Sequence, residues 1–278
     1  MKVIVLFALA TASLGLLYLV NNEHLHPKMN TQTLEIPDTI YSGLLGEDLE
    51  VAVIGDIHVG DETEDYNELS SMLEKVVRSG PDLILLLGDY TTSMASVSDM
   101  GAHRAEVIDR LSVLTSFPVA AVMGNYETLS DSTKWKRSIA EAGIFALHNE
   151  VAVIKVKGKS VCVRGFGDAF TKQFQFVDFP SECDSVTRVT ITHDPGAAFK
   201  EGVEGIIFAA HTHCGQIRFP LVGAVWMPTD APRAATCGSY EDDKMLLWVT
   251  SGVGTSILPV RLGAQAQWDF LKLTAADN

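Results

Sequence analysis

The chain has 278 residues, 47% of them hydrophobic and 20% charged, which is enough apolar material for one large core or at most two small ones. This composition excludes a disordered or low-complexity protein. The formal net charge of −14 argues against a nucleic-acid binder, since the phosphate backbone would repel the protein, so any phosphate bound here needs positive charge from elsewhere, such as a metal ion.

The chain opens with an apolar segment that resembles a membrane element. Residues 3–20 form an uncharged run behind Lys2. As a helix they would span about 27 Å, close to the ~30 Å hydrocarbon core of a bilayer. We predict an uncleaved signal anchor over residues 1–22, with Lys2 inside and the rest of a single-pass protein outside the cytoplasm. A signal peptide cleaved near Ala10-Thr11-Ala12 and a buried core helix remain open as alternatives.

Residues 23–48 are predicted to hold a linker and a leading strand, and residues 49–278 a single domain. The polar stretch from Asn21 to Asn30, with its histidines His24 and His26, is interpreted as solvated linker.

The hydrophobic pattern in the first half of this domain predicts strands and helices in the order βαβαβ. Short aliphatic runs that end in glycine indicate buried strands, and apolar residues spaced three or four apart indicate helical faces. The predicted strands are 49–55, 83–87 and 118–123, and the predicted helices are 65–79, one around 107–114, and 135–142.

The second half changes character and predicts mainly strands. These are 151–156, 160–165, 186–192, 205–210, 245–250 and 267–273. Residues 240–244 form an acidic patch that we interpret as a solvated turn. The fold class is therefore α/β, with a strand-rich second half.

The four cysteines are too far apart for a zinc ribbon or a thioredoxin-type pair, because no two of them form a CxxC motif. They are Cys162, Cys183, Cys214 and Cys237. Spacing alone does not decide whether any of them pair, and we predict four separate thiols.

Metal-ligating residue types stand at the ends of five predicted strands. Ligands in open α/β sheets bind beyond the carboxyl ends of strands, and carboxylate, amide and imidazole groups are ligands of divalent metals. A single such residue could be a turn or a helix cap, but seven at five strand ends predict a metal centre. They are Asp56, His58, Asp89, Asn125, His193, His211 and His213.

The order D-x-H, G-D, G-N-x-E, H, H-x-H resembles the calcineurin-like metallophosphoesterases, and in particular their membrane-anchored bacterial branch. In that branch the last motif reads G-H-T-H-G-G-Q-I-R-x-P, and here residues 210–220 read AHTHCGQIRFP. A late G-x-G-T-S-x-x-P-x-R segment of the branch matches residues 252–261. The resemblance covers residues 49–273.

The resemblance implies a four-layer α/β/β/α sandwich with two mixed sheets, and two divalent metal ions (Mn, Fe, Zn or Ni) bridged by Asp89. It implies Asp56, His58 and His213 as further ligands of one metal, and Asn125, His193 and His211 of the other. A hydroxide bridging the two metals would be the nucleophile that attacks phosphorus.

Two departures from the family pattern bear on catalysis. The family has histidine after the asparagine, and the resemblance implies that this histidine contacts the phosphate and protonates the leaving group. This chain has Tyr126 there, which we predict to be the catalytic, substrate-contacting residue at that position. A phenol, with an ordinary pKa near 10, can donate a hydrogen bond but cannot cycle protons near neutrality as imidazole does. Cys214 replaces a glycine, and we interpret it as a small filler beside the ligands, with an accessory thiol as the alternative.

Three further residues are considered from their chemistry or their place in the family pattern. Arg218 and Arg261 are predicted to contact a substrate anion, since guanidinium matches phosphate geometry, although structural ion pairs are an equal alternative. Asp168 is a loop acid near the site by the family pattern, and a plain turn is as good an interpretation.

We therefore predict a metal-dependent phosphoric ester hydrolase, either a phosphodiesterase or a phosphomonoesterase, attached to the membrane. One alternative is a pyrophosphatase on a lipid-linked nucleotide sugar such as UDP-2,3-diacylglucosamine. Another is a metal-binding pseudoenzyme that lost turnover with the histidine.

Overall fold

A computed structural model describes residues 26–37, 40, 48–219 and 221–276 of the chain. The predicted signal anchor lies outside these ranges. Across the described ranges, no helix is both long enough and apolar enough to cross a membrane.

The described residues form strands in both halves and helices in the first half, in the order that the sequence predicts. The strands are β1 (Lys28–Ile36), β2 (Leu49–Ile54), β3 (Leu83–Leu86), β4 (Val119–Ala121), β5 (Phe145–Ala146), β6 (Glu150–Val156), β7 (Lys159–Gly165), β8 (Thr187–Ile191), β9 (Gly205–Ala209), β10 (Arg218–Phe219), β11 (Gly223–Ala224), β12 (Gly238–Glu241), β13 (Met245–Val249) and β14 (Gln267–Ala275). The α-helices are α1 (Thr63–Ser79), α2 (Met100–Leu111) and α3 (Asn125–Glu141).

The first sheet has the strand order β1-β14-β2-β3-β4-β5. Strands β2 to β5 run parallel, β14 runs antiparallel to β2, and β1 pairs in parallel with β14. Every residue of β3 is buried, as expected for a parallel strand covered on both faces.

The second sheet has the order β12-β13-β9-β8-β7-β6. Its four inner strands are parallel, and the edge strands β6 and β12 are antiparallel to their neighbours. The expectation of two mixed sheets is therefore confirmed.

The two sheets pack face to face around a shared apolar core, in which Val53 and Leu85 of the first sheet join Val163 and Phe208 of the second. Helices α1, α2 and α3 cover the outer face of the first sheet. In the described ranges, short 3₁₀ turns and loops cover the outer face of the second sheet instead of α-helices. The fourth layer thus differs from the predicted one, in keeping with the lack of long helical patterns after residue 142.

The predicted strand boundaries agree closely with the observed ones in the inner strands of both sheets, and less well in the strands at the sheet edges. Strand β1 begins at Lys28, inside the stretch interpreted as linker, because its backbone pairs with β14 along nine residues. The acidic patch is not wholly a turn, since residues 240–241 end β12. Strands β5, β10 and β11, of two residues each, were not predicted.

The prediction of four separate thiols is wrong. Cys162 on β7 is bonded to Cys183, which lies in the 3₁₀ turn before the neighbouring strand β8. Cys214 is bonded to Cys237, just before β12, so it is not merely a small filler. Each pair is more than twenty residues apart in sequence, and the folding of the second sheet brings the partners together.

Candidate metal centre and active site

The seven predicted ligands come together where the carboxyl ends of both sheets meet. Asp56 and Asp89 follow β2 and β3 of the first sheet, and Asn125 opens α3 behind β4. The three later histidines follow β8 and β9 of the second sheet. All seven side chains lie at most slightly exposed, so the polar cluster sits within an otherwise apolar interior.

Two clusters can each hold a cation. The ligand atoms of Asp56, His58 and His213 lie within 4.8 Å of one another, and so do those of Asp89, His193 and His211. The Nε2 atoms of His58 and His213 are 3.1 Å apart.

The second cluster has the same kind of close approach. Nε2 of His193 lies 3.1 Å from Nδ1 of His211 and 3.1 Å from Oδ1 of Asn125. The amide oxygen of Asn125 therefore lies beside this cluster, where the resemblance implied a ligand.

Asp89 stands between the clusters. Its Oδ2 atom lies 3.5 Å from Nε2 of His58 and 3.3 Å from Nε2 of His193. Its Oδ1 atom is fixed by the backbone N–H of Tyr126 at 2.9 Å. One carboxylate oxygen is thus directed between both sets of ligands, as a bridging ligand requires.

The donor set fits divalent cations. Oδ2 of Asp56 is buried without a hydrogen-bond partner, and it lies 3.9 Å from Nε2 of His213. A buried carboxylate oxygen without a partner is costly unless a proton or a cation satisfies it. Oxygen and imidazole nitrogen together are the ligands of borderline divalent metals.

The backbone at the site is held in an uncommon conformation. Five of the seven candidate ligands have a positive φ, between 49° and 68°: Asp56, His58, Asp89, His211 and His213. Residues other than glycine adopt this region rarely, and such strain concentrates at functional sites.

Two glycines allow the loops to approach the carboxylates. A Cβ atom on Gly124 would lie 2.2 Å from Oδ1 of Asp89, and one on Gly252 would lie 2.6 Å from Cβ of Asp56. Any larger residue at either position would displace a candidate ligand.

Burial and mutual charge perturb the titration of these groups in the metal-free protein. Burial raises the pKa of Asp56 to about 7, with Asp89 adding to the effect and His193 opposing it. Burial lowers the pKa of His58 to about 4. Burial acts against ionisation of Asp89 as well, but the attraction of His193 prevails and lowers the pKa of Asp89 to about 2.

His193 is the group that balances the negative charge of Asp89. Burial alone would lower its pKa, but the carboxylates of Asp89 and Asp56 raise the pKa of His193 well above its ordinary value. Without a metal, the second cluster therefore holds a proton where a cation would otherwise compensate Asp89.

Tyr126 lines the cavity above the clusters. Its hydroxyl lies 3.2 Å from Oγ of Ser256, and its ring meets the ring of His58 edge-on with centroids 4.9 Å apart. The phenol thus lies next to the first cluster as well as following Asn125 of the second.

Neither predicted substrate-binding arginine lines the cavity in the structure. Arg261 is fully buried and donates to the carbonyls of Ser251 at 2.8 Å and Gly252 at 3.0 Å, with Nη2 also 3.1 Å from Nδ1 of His213. Arg218 donates to the carbonyl of Cys214 at 3.2 Å. Both guanidinium groups support the loops that carry ligands.

Asp168 forms the turn that was its alternative interpretation. It is buried and accepts hydrogen bonds from the backbone and hydroxyl of Thr171 at 2.9 and 2.6 Å. This turn carries Phe170, whose ring lies against His211 with centroids 4.7 Å apart.

Two supporting residues were not identified from the sequence. Glu127 is fully buried and accepts four backbone N–H bonds, from Asp89, Tyr90, Thr91 and Gly124. Gln216 ties the residues after His213 to the loop at 256–260. Each stands in a quoted motif that was a signal for it: Glu127 in G-N-x-E, and Gln216 in the segment at 210–220 that follows the branch pattern.

Comparison with known proteins agrees with this geometry. The model of the calcineurin-like phosphoesterase family matches residues 49–215, more than half of the chain. The chain belongs to this family. It is accordingly a metal-dependent phosphoesterase, a hydrolase.

Individual relatives are distant. The chain is 28% identical to Phosphodiesterase YaeI of Escherichia coli over 211 residues, covering 74% of this chain and 75% of that one. It is 25% identical to a zebrafish protein named Transmembrane protein with metallophosphoesterase domain, over 95% of this chain and 61% of the relative. A solved 5'-nucleotidase precursor from Thermus thermophilus superposes with a TM-score of 0.48 at 14% identity, over 82% of this chain and 55% of that one.

Proposed function

We propose that the chain is a dinuclear-metal phosphoesterase acting on phosphodiesters or phosphomonoesters. The observation that carries this proposal is the position of Asp89 Oδ2, within 3.5 Å of a histidine nitrogen from each cluster. Asp56, His58 and His213 would hold one metal, and Asn125, His193 and His211 the other, with Asp89 shared. When bound, two such metals activate water and neutralise the phosphoryl oxygens.

Backbone carbonyls around the two clusters would hold the histidine ligands and orient their rings. Leu87 contributes its carbonyl, 2.7 Å from Nδ1 of His193, and Pro228 contributes its carbonyl, 2.8 Å from Nε2 of His211. Such partners fix the ring orientation of ligating histidines. Tyr126 would donate a hydrogen bond to the bound ester from the cavity wall.

A phosphodiester is the favoured substrate because a relative aligned over three quarters of its own length is named a phosphodiesterase. The pyrophosphatase alternative, on UDP-2,3-diacylglucosamine, stays a prediction from the family resemblance.

The test is to purify the full chain without chelator, measure bound metal by elemental analysis, and assay matched phosphate mono- and diesters. We expect about two divalent ions per chain and hydrolysis of at least one ester class. A folded protein that is active without metal would contradict the mechanism. Bound metal without turnover of any ester would favour the pseudoenzyme alternative.

We also propose that residues 3–20 attach the protein to the membrane, with the domain outside the cytoplasm. Two disulfides support this location, because disulfides persist in oxidising compartments. The name of the zebrafish relative, which aligns over 95% of this chain, adds support. A C-terminal alkaline phosphatase fusion should be active and sediment with membranes, whereas a shortened product in the medium would favour signal cleavage.

A further inference from the structure

Two exposed apolar segments flank the cavity above the metal clusters. Val225 and Trp226, which follow strand β11, are 66% and 64% exposed. Ile257 and Leu258, in the loop at 256–260, are 82% and 53% exposed. All four line the same cavity of about 460 Å³ as Asp89. We call these two pairs the apolar walls.

The second wall is preformed by contacts to the segment that carries the ligands. The Nε2 atom of Gln216 donates to the carbonyls of Ser256, Leu258 and Val260 at 3.1, 2.8 and 3.0 Å. Its Oε1 atom accepts the backbone N–H of Ser256 at 2.8 Å. The loop at 256–260 is therefore fastened to the same segment as His213.

The backbone conformation of this loop points to a function. Ile257 has a φ of +61°, a conformation that is a true outlier for a β-branched residue. A fold keeps such strain where it serves a site. This conformation leaves the side chain of Ile257 largely exposed to solvent at the edge of the cavity. An exposed isoleucine contributes no burial of apolar surface to the stability of the fold.

The chemistry of the cavity changes from its base to its rim. Among the described residues that line it, Asp89 is the one carboxylate and there is no lysine or arginine. Phe170 lies against His211 at the base, so apolar surface begins directly beside a candidate ligand. A charged or sugar-like substituent on the phosphate would lose water along the walls with few partners, whereas an apolar one would gain from burial.

We propose that the substrate is an amphiphilic phosphoester, with its phosphoryl group at the metal clusters and an alkyl substituent lying between the apolar walls. This inference rests on the proposed phosphoesterase function and specifies its substrate class. The cavity lies within the range of about 300–1,000 Å³ that small-molecule sites occupy.

The test is a series of 4-nitrophenyl phosphodiesters whose second substituent is methyl, butyl or octyl. Water attacks phosphorus, the bond to the nitrophenolate oxygen breaks, and the products are the alkyl phosphate and 4-nitrophenol in every case. Leaving group and charge are thus constant. With the metal-loaded full chain, and all esters below their critical micelle concentrations, we expect kcat/KM to rise about tenfold or more from methyl to octyl, mainly through KM.

Variants assign this effect to the walls. Trp226→Ser and Ile257→Ser should each reduce the octyl-to-methyl ratio of kcat/KM severalfold. The matched control is Val113→Ser, at an exposed valine in the 3₁₀ turn 112–116, away from the cavity, and it should leave the ratio unchanged. A ratio near one in the unmodified protein, or equal ratios in all variants, would overturn the inference.

A binding measurement separates this inference from the catalytic proposal. Trp226 is the exposed tryptophan, while Trp135, Trp248 and Trp268 are 7% exposed or less. Octylphosphonate, which cannot be hydrolysed, should shift tryptophan emission to the blue, methylphosphonate should not, and Trp226→Phe should lose the shift.

Each outcome has a distinct meaning. If the methyl ester is cleaved but chain length has no effect and the emission does not shift, the amphiphile inference fails and the phosphoesterase stands. If no ester is cleaved but octylphosphonate shifts the emission, the phosphoesterase proposal fails while the apolar subsite is upheld. A chain-length effect that appears only when the octyl ester is raised above its critical micelle concentration would mean adsorption to a surface and would overturn binding between the walls.

Discussion

The Oε2 atom of Glu127 accepts the backbone N–H of Asp89 at 2.8 Å. The same oxygen accepts the N–H of Gly124 at 2.9 Å, and Oε1 accepts those of Tyr90 and Thr91 at 2.8 and 3.1 Å. One buried carboxylate at the start of α3 thus joins the loops behind β3 and β4. Those loops supply Asp89, which lies between the two clusters, and Asn125, so Glu127 is a positioning residue for both clusters.

We expect Glu127→Gln to lower both stability and metal content. The amide would turn an NH₂ group toward two of the four backbone donors, and buried unsatisfied donors cost about 1–3 kcal/mol each. Thermal unfolding and elemental analysis measure the two effects. Glu141→Gln, at an exposed position on the same helix, is the matched control and should change stability by less than about 0.5 kcal/mol. Retention of full metal content by Glu127→Gln would refute the positioning role.

Asp89→Asn should be among the most damaging single substitutions. It removes the negative charge that lies within 3.5 Å of histidines in both clusters. Metal stabilisation of the transition state is worth several kcal/mol, so we expect kcat/KM to fall at least about 100-fold, together with loss of metal from both clusters. Asp109→Asn on the exposed face of α2 provides the comparison. Loss of one metal with the other fully retained would argue against a shared ligand.

Metal binding should release more protons at pH 6 than at pH 8. Burial raises the pKa of Asp56 to about 7, so this carboxyl is mostly protonated at pH 6 in the metal-free protein and must lose its proton to bind a cation. Apparent affinity should fall about tenfold per pH unit below 7 for each proton displaced.

Calorimetric titrations in buffers of different ionisation enthalpy count these protons directly. We expect at least about one more proton released at pH 6 than at pH 8. A constant number across this range would show that Asp56 is already ionised without metal.

Tyr126→His should narrow the gap between good and poor leaving groups. A phenol can stabilise charge by hydrogen bonding, so cleavage depends on the acidity of the leaving group, and aryl esters should outpace alkyl esters. An imidazole can protonate the departing oxygen near neutral pH, and general acids contribute about 10²–10⁴-fold. Rates for aryl and alkyl phosphodiesters, with Tyr126→Phe as the hydroxyl-free control, test this. Unchanged rates for both classes in Tyr126→His would mean that the tyrosine does not occupy the place of an acid.

Breaking the Cys214–Cys237 bond should weaken the metal centre, whereas breaking the other disulfide should not. Each bond closes a loop of just over twenty residues, so each double serine variant should lose about 3 kcal/mol of stability. Cys214 directly follows His213, and Oγ1 of Thr212 donates to the carbonyl of Thr236 beside Cys237. We therefore expect Cys214→Ser/Cys237→Ser alone to lose metal affinity, with Cys162→Ser/Cys183→Ser as its control. Equal metal affinities in the two variants would contradict this.

The aliphatic runs were sufficient to predict most of the strands, and the residues at the strand ends were sufficient to predict the seven candidate ligands. The division of these strands into two mixed sheets came from the family resemblance. The sequence could not predict the positive φ angles of Asp56 or His213, since these come from loops closing over one another. The disulfides were not predicted for a related reason: Cys162 and Cys183 become neighbours only when β7 and β8 pair. Arg261 was expected to contact substrate because of its charge, but it is buried, donates to backbone carbonyls and lies beside His213.

The pairing of the first and last strands has a practical consequence. The backbone N–H of Lys28 donates to the carbonyl of Ala266, and that of Gln267 donates to the carbonyl of Gly252, which lies beside Asp56. His26 lines a cavity together with His58. The two strands run in the same direction, so β14 ends at the opposite rim, where Ala275 pairs with Ile36. An affinity tag or solid support joined directly before His26 would therefore stand at the end of the sheet that carries the candidate ligands, whereas one joined after residue 276 would stand at the opposite end.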